Sequence, residues 1–150
     1  MLNKNTEHPQ TIIDETHIAY WAQSLVTQTP MLINKIMCNT MATSQEAASE
    51  GFDETLRFLF LCSLSSSNLT PSHYIDEIWH EFILFTRTYH QFCNEKFACF
   101  IHHQPSNNRT NEKEQYQKTL TLYRQYFGEP NITYWPTPND DVANCGLCEN

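Results

Sequence analysis

Histidine and cysteine side chains are concentrated in one short stretch of this sequence. The chain has 150 residues, with seven histidines and six cysteines. Within 24 consecutive residues stand His80, His90, Cys93, Cys99, His102 and His103. Imidazole nitrogen and thiolate sulfur are the protein ligands that zinc and related transition metals favour. This stretch is therefore where we look first for a metal site or a catalytic histidine.

Asp76 and His80 form the first candidate pair. They are four residues apart in a segment with helical periodicity, so the Asp76 carboxylate can reach the His80 ring. Asp76 can orient His80 and raise its basicity for general-base catalysis. Alternatively, both can bind one ion, or Asp76 can support a metal-bound His80 through a hydrogen bond. The alternative without function is a solvated helix face with a weak Asp–His hydrogen bond.

His102 and His103 form the second candidate pair. Neighbouring side chains in an extended chain point to opposite sides, so one ring can face inward while the other faces solvent. Pro105 favours such an extended conformation just before it. Either histidine, together with Asp76 and His80, would give the three ligands of an open, catalytic-type metal site. A pair of turn residues without function is the alternative.

A rival metal site combines two histidines with two cysteines. His90, Cys93 and Cys99, together with His102 or His103, would supply the ligand set of a structural zinc site. This arrangement is weaker, because His90 lies on the polar face of its predicted helix whereas Cys93 borders the apolar face.

A C-x2-C motif, Cys145 and Cys148, stands near the end of the sequence. Thioredoxin-like chemistry requires this motif at the start of a helix that follows a strand, and neither is predicted here. The two thiols can instead close a metal site, capture a soft metal or form a local redox pair. Two reduced thiols without a role are the alternative.

Apolar spacing predicts the elements that would position these residues. Apolar residues recur at steps of three and four positions between residues 75 and 92, which predicts a single helix over about 72–96. These residues are Ile75, Ile78, Phe82, Phe85, Tyr89 and Phe92. Other helices are predicted over about 14–28, 31–41, 44–64 and 112–127. We expect an all-α fold, an irregular bundle of four to five helices around the central helix 72–96. An irregular C-terminal tail with prolines and cysteines follows.

Length and charge limit the organisation and the partners. We expect a polar N-terminal lead over 1–12, a single helical domain over 13–138 and a flexible cysteine-containing tail over 139–150. The net charge of −8 argues against binding to nucleic acid or to anionic membranes. No apolar run is long enough to cross a membrane. The first residues lack the apolar core of a signal peptide, so we expect a cytoplasmic protein with reduced thiols.

Several of these residues also form a pattern that resembles a known family. The pattern is D-x-x-W-H at 76–80, T-x-x-Y-x-x-F-C at 86–93 and H-H-x-P at 102–105, with Tyr126-Phe127-Gly128 and Trp135-Pro136 further on. It resembles the small bacterial relatives of the plant glycine-rich-domain-containing proteins, over about residues 52–136. The glycine-rich segment of the plant proteins is absent here. The resemblance implies architecture more than mechanism.

The resemblance also separates the two candidate metal sites. The family pattern includes Asp76, Trp79, His80, Cys93, His102 and His103. It does not include His90, and it tends to have glycine near the position of Cys99. The resemblance therefore favours Asp76 and His80 with His102 or His103 over the site with two histidines and two cysteines.

Our first hypothesis is a cytoplasmic metal-binding protein. His80 and His102 or His103 would bind a divalent transition metal, zinc by default. Asp76 would be a ligand or a supporting acceptor, Cys145 and Cys148 could close the coordination sphere, and an open position would permit hydrolysis. The second hypothesis is an interaction module without catalysis, in which Asp76, Trp79 and His80 form a structural hydrogen-bond network and an unknown protein is the partner. A thiol redox role of the tail is the third.

Overall fold

The described residues form an all-α bundle, as predicted. A computed structural model of the protein describes residues 13–104 and 108–138, so the predicted lead over 1–12 and the predicted tail over 139–150 lie outside it. The described part contains no strand. It has six helices: α1 (Glu15–Gln28), α2 (Met31–Asn39), α3 (Gln45–Leu64), α4 (His73–Leu84), α5 (Thr86–Phe97) and α6 (Arg109–Phe127). None of them is both long and apolar enough to cross a membrane.

Helix α3 occupies the centre of the bundle. It packs against α1, α2, α4 and α6, and its buried side chains point in nearly every direction around the helix axis. Ser44 caps its first turn by accepting a hydrogen bond from the Ala47 N–H at 3.1 Å. Gly51 allows the close approach of α4, because a Cβ there would lie 2.5 Å from Cδ1 of Ile78. The glycine that lowers helix propensity in this segment thus leaves room for the Ile78 side chain.

The segment that was predicted as one helix over 72–96 is two helices. Phe85 separates α4 from α5 with φ −82° and ψ 61°, which is outside the helical region. Because the chain turns at Phe85, the Trp79 Nε1–H reaches the Tyr89 hydroxyl at 3.1 Å. In a straight helix these two residues would be separated by about 15 Å along the axis. The prediction failed here because no glycine or proline marks the break.

The chain after α5 returns to α4. Ala98 ends α5 in the left-handed conformation, with φ 54°, and thereby redirects the following residues. The Tyr89 hydroxyl donates a hydrogen bond to the Ile101 carbonyl oxygen at 2.6 Å. This contact holds residues 98–104, which we call the return segment, beside α4.

The residues after α6 fold back on the bundle, as the sequence predicts for Tyr134-Trp135-Pro136. The Trp135 Nε1–H donates to Glu54 Oε2 at 2.8 Å, and the Tyr123 hydroxyl donates to the same oxygen at 2.7 Å. Arg57 Nη1 donates to the other Glu54 oxygen at 3.0 Å. Glu54 is buried in α3, and these three donors compensate for the cost of burying its carboxylate.

Candidate metal centre

Helix α4 positions the first two residues of the centre. Ser72 caps this helix by accepting a hydrogen bond from the Ile75 N–H at 3.2 Å, and it donates to the Tyr134 carbonyl oxygen at 2.5 Å. Asp76 lies in the first turn of α4, where the partial positive charge of the helix N-terminus favours a carboxylate. His80 follows one turn later, with its Nδ1 3.5 Å from Asp76 Oδ2.

The return segment supplies the third residue, His103. Its Nε2 lies 2.7 Å from Asp76 Oδ1, a short charge-assisted hydrogen bond. Its ring also packs against the Trp79 indole, with 4.3 Å between the ring centroids. Because Trp79 also donates to Tyr89, and Tyr89 donates to Ile101, one continuous set of contacts fixes the ring of His103 over α4.

Asp76, His80 and His103 together form a compact N/O cluster. One ligand atom from each residue lies within 4.8 Å of the other two, and the centroids of the two imidazole rings are 4.3 Å apart. Ligands at about 2.0–2.2 Å from a tetrahedral ion lie roughly 3.3–3.6 Å from one another. Small side-chain movements therefore suffice to bring all three onto one ion.

The cluster lies at the edge of the protein interior. The side chains of His103 and Asp76 are 13% and 19% exposed, whereas that of His80 is 47% exposed. A ligand could therefore enter from the His80 side, while the Trp79 indole covers the His103 ring. This combination of an enclosed side and an open side is compatible with three protein ligands and a remaining coordination position.

A second carboxyl group, that of Glu112, is buried in α6. Glu112, in the first turn of α6, is 5% exposed, and its Oε2 is buried without a hydrogen-bond partner among the described residues. Burial raises the pKa of Glu112; the positive charge of Arg109 opposes this effect, and the negative charge of Asp76 adds to it. Glu112 is not among the three residues whose ligand atoms lie within 4.8 Å of one another.

The two adjacent histidines differ in their surroundings. His103 contacts Asp76, whereas His102 is exposed and packs its ring on Phe100 at a centroid distance of 4.7 Å. One ring thus faces the cluster and the other faces solvent, which is the arrangement that an extended segment favours. His102, a candidate ligand from the sequence, lies outside the cluster.

The rival site with two histidines and two cysteines is not assembled in the described part of the chain. Cys93 is fully buried, while His90 and Cys99 are exposed. Asp76, His80 and His103 are the group with metal-ligand spacing within residues 13–104 and 108–138. The candidate ligands Cys145 and Cys148 lie outside the described residues.

Sequence reasoning placed Trp79 in a network with Asp76 and His80. In the structure its indole N–H donates to Tyr89 instead, and its ring packs against that of His103. The burial of Glu112 was not predicted. Its position in line with the apolar face of α6, four residues before Tyr116, was the available signal.

The described residues thus define an all-α protein with an Asp–His–His cluster at its surface. The family model described as UCP032817-like matches residues 18–132, which is well over half of the chain. The chain therefore belongs to this family. No curated protein and no solved structure matches it. The resemblance to the glycine-rich-domain-containing proteins is not tested by these comparisons and stays a prediction.

Proposed function

We propose that this protein binds one divalent transition-metal ion through Asp76, His80 and His103. The observation that carries the proposal is the convergence of three ligand atoms within 4.8 Å, contributed by α4 and by the return segment. Zinc is the default ion, because two imidazoles and one carboxylate form a borderline ligand set that suits it. Two neutral imidazoles and one carboxylate leave a net charge of +1 on the bound ion and its ligands.

Asp76 has two possible contributions in this proposal. Its Oδ1 accepts from His103 and its Oδ2 faces His80, so one carboxylate aligns both rings before an ion arrives. A bound ion would be held by one ring nitrogen of each neutral imidazole, with the N–H on the other ring nitrogen, and Asp76 would be a third ligand or would orient an imidazole. Three protein ligands leave a position for water, and hydrolysis by a zinc-activated water is the reaction class that we propose for this site.

Metal content tests this proposal directly. The purified full chain is dialysed against metal-poor buffer, loaded with zinc and analysed for bound equivalents. We expect one equivalent in the wild type and its loss in His80→Ala and His103→Ala. His102→Ala is the matched control, because it removes the adjacent exposed imidazole and should retain the ion. Equal zinc content in all four proteins would refute the assignment.

A structural role of the same residues is the second candidate. The 2.7 Å contact between Asp76 and His103 is a complete hydrogen bond without any ion, and it ties the return segment to α4. In this case the surface around the centre serves a protein partner rather than a metal. His103→Ala would then lower the melting temperature while the zinc content of the wild type stays at background.

The C-x2-C motif and the cellular location stay expectations. The four described cysteines are free thiols, which suits a reducing compartment, and we propose a cytoplasmic location. A redox role for Cys145 and Cys148 predicts a disulfide that forms reversibly near cellular potentials. A measured potential far outside that range would exclude this role.

A further inference from the structure

We propose that metal binding locks the return segment against the bundle, and that the ion-free protein opens at this segment and exposes the buried thiol of Cys93. We call these two arrangements the closed form and the open form. The inference rests on the proposed metal binding by Asp76, His80 and His103. It deepens that proposal, because occupancy of the centre would then control a conformation and the accessibility of a thiol.

The ligands of the centre are divided between two elements. Asp76 and His80 are one turn apart on α4, whereas His103 comes from the return segment. An ion that is bound by all three residues therefore requires the return segment to stay beside α4. Because such an ion binds only the closed form, its binding free energy adds to the stability of that form. The coupling is reciprocal, so contacts that keep the segment closed also strengthen ion binding.

The return segment is a short, largely exposed stretch of chain. It leaves α5 at Ala98, whose φ of 54° is unfavourable for a residue with a Cβ. It is then tied to the bundle through the Ile101 carbonyl, which accepts from Tyr89 at 2.6 Å, and through His103, which lies 2.7 Å from Asp76. Its remaining side chains are exposed: Ala98, Cys99, Phe100, His102 and Gln104. Such a segment opens locally at a lower free-energy cost than the whole bundle unfolds.

The thiol of Cys93 lies beneath the return segment. Cys93 follows Tyr89 by one turn of α5, so both side chains are on the same side of this helix, and they are 0% and 1% exposed. The hydrogen bond between Tyr89 and Ile101 places the return segment over this side of α5. Burial raises the pKa of Cys93, whereas a hydrogen bond with the Ile101 backbone opposes this effect. Opening of the segment that carries His103 therefore uncovers Cys93.

The test is the rate at which iodoacetamide alkylates Cys93 in the full chain, followed for each cysteine separately by peptide mass spectrometry. In the zinc-free protein we expect a rate that is nearly independent of urea at low concentrations, because local opening exposes far less surface than global unfolding. Zinc at about 100 times its dissociation constant should slow the reaction by about 100-fold. Cys38 is the matched control, since it is exposed on α2 and should react at the same rate with and without zinc.

Two variants link the protection of Cys93 to the centre. His103→Ala removes the ligand on the return segment, so zinc should no longer slow the alkylation of Cys93. His102→Ala removes the adjacent exposed imidazole, and the protection by zinc should remain.

Bound zinc is measured in the same samples, so that the outcomes separate the two proposals. If the wild type binds one equivalent of zinc but Cys93 reacts at an unchanged rate, the inference is overturned and metal binding survives. If the rate in the zinc-free protein rises with urea as steeply as global unfolding does, the return segment does not open locally and the inference is also overturned. If the wild type does not bind zinc, both proposals fail together.

Discussion

Removing the hydroxyl of Tyr89 should both destabilise the fold and loosen the candidate metal centre. This hydroxyl accepts from Trp79 Nε1 at 3.1 Å and donates to the Ile101 carbonyl oxygen at 2.6 Å. Burial raises the pKa of Tyr89, so the group keeps its proton and remains a donor at any physiological pH. Tyr89→Phe deletes one atom that serves two buried partners at once.

The expected magnitude follows from these two contacts. Each hydrogen bond contributes about 1 kcal/mol, and each buried partner that is left unpaired adds a penalty of similar size. We therefore expect Tyr89→Phe to lower the free energy of unfolding by about 2–4 kcal/mol in urea titrations. Because Tyr89 holds the return segment, we also expect zinc binding through His103 to weaken by about tenfold.

Tyr126→Phe is the matched control for this experiment. Tyr126 is exposed on α6, and loss of its hydroxyl should change the free energy of unfolding by no more than about 0.5 kcal/mol. If Tyr89→Phe is as mild as Tyr126→Phe, the Trp79–Tyr89–Ile101 contacts do not hold the return segment. If it destabilises the fold but leaves zinc affinity unchanged, the link between this anchor and the metal centre is refuted.

Three substitutions in α3 test the packing around the central helix. Burial raises the pKa of Asp53 from 3.8 to about 6. The folded state therefore prefers the protonated form, and its free energy of unfolding falls by up to about 3 kcal/mol as the pH rises from about 4 to above 6. Asp53→Asn should therefore stabilise the protein at pH 7.5 and have little effect at pH 4 in urea titrations; an equal effect at both pH values would contradict this. Glu54→Gln should lower the free energy of unfolding by about 3 kcal/mol, because an amide cannot accept from all three donors around it and half-buried Arg57 loses the charge of its partner. Calorimetry measures this change, and a loss of stability below about 1 kcal/mol would refute the expectation. Gly51→Ala should cost about 1–3 kcal/mol despite better helix propensity, because its Cβ would overlap Ile78; an unchanged melting temperature would show that Ile78 moves aside freely.

Local patterns in the sequence predicted most helices closely. The segment 44–64 was predicted as a helix and forms α3 (Gln45–Leu64), because apolar periodicity and the Ser44 cap agree there. The i, i+4 spacing of Asp76 and His80 likewise predicted their proximity, since it depends only on helix geometry. Features that depend only on residues within one or two helical turns of each other can therefore be predicted from the sequence.

Features that depend on tertiary contacts were not predictable in this way. The break at Phe85 allows Tyr89 to contact both α4 and the return segment, and these long-range contacts are not visible in the apolar spacing. The choice of His103 over His102 depends on which side of the return segment faces α4. The burial of Glu112 depends on how α6 packs against the bundle.

The central claim is that Asp76, His80 and His103 bind one ion, and the histidine ring signals in NMR spectra test it most directly. Zinc is titrated into the full chain while the imidazole resonances are followed and assigned by single substitutions. We predict that the signals of His80 and His103 shift together and saturate at one equivalent, while those of His90 and His102 do not move. Shifts confined to His90 and His102, or no saturable shift at His80 and His103, would contradict the claim.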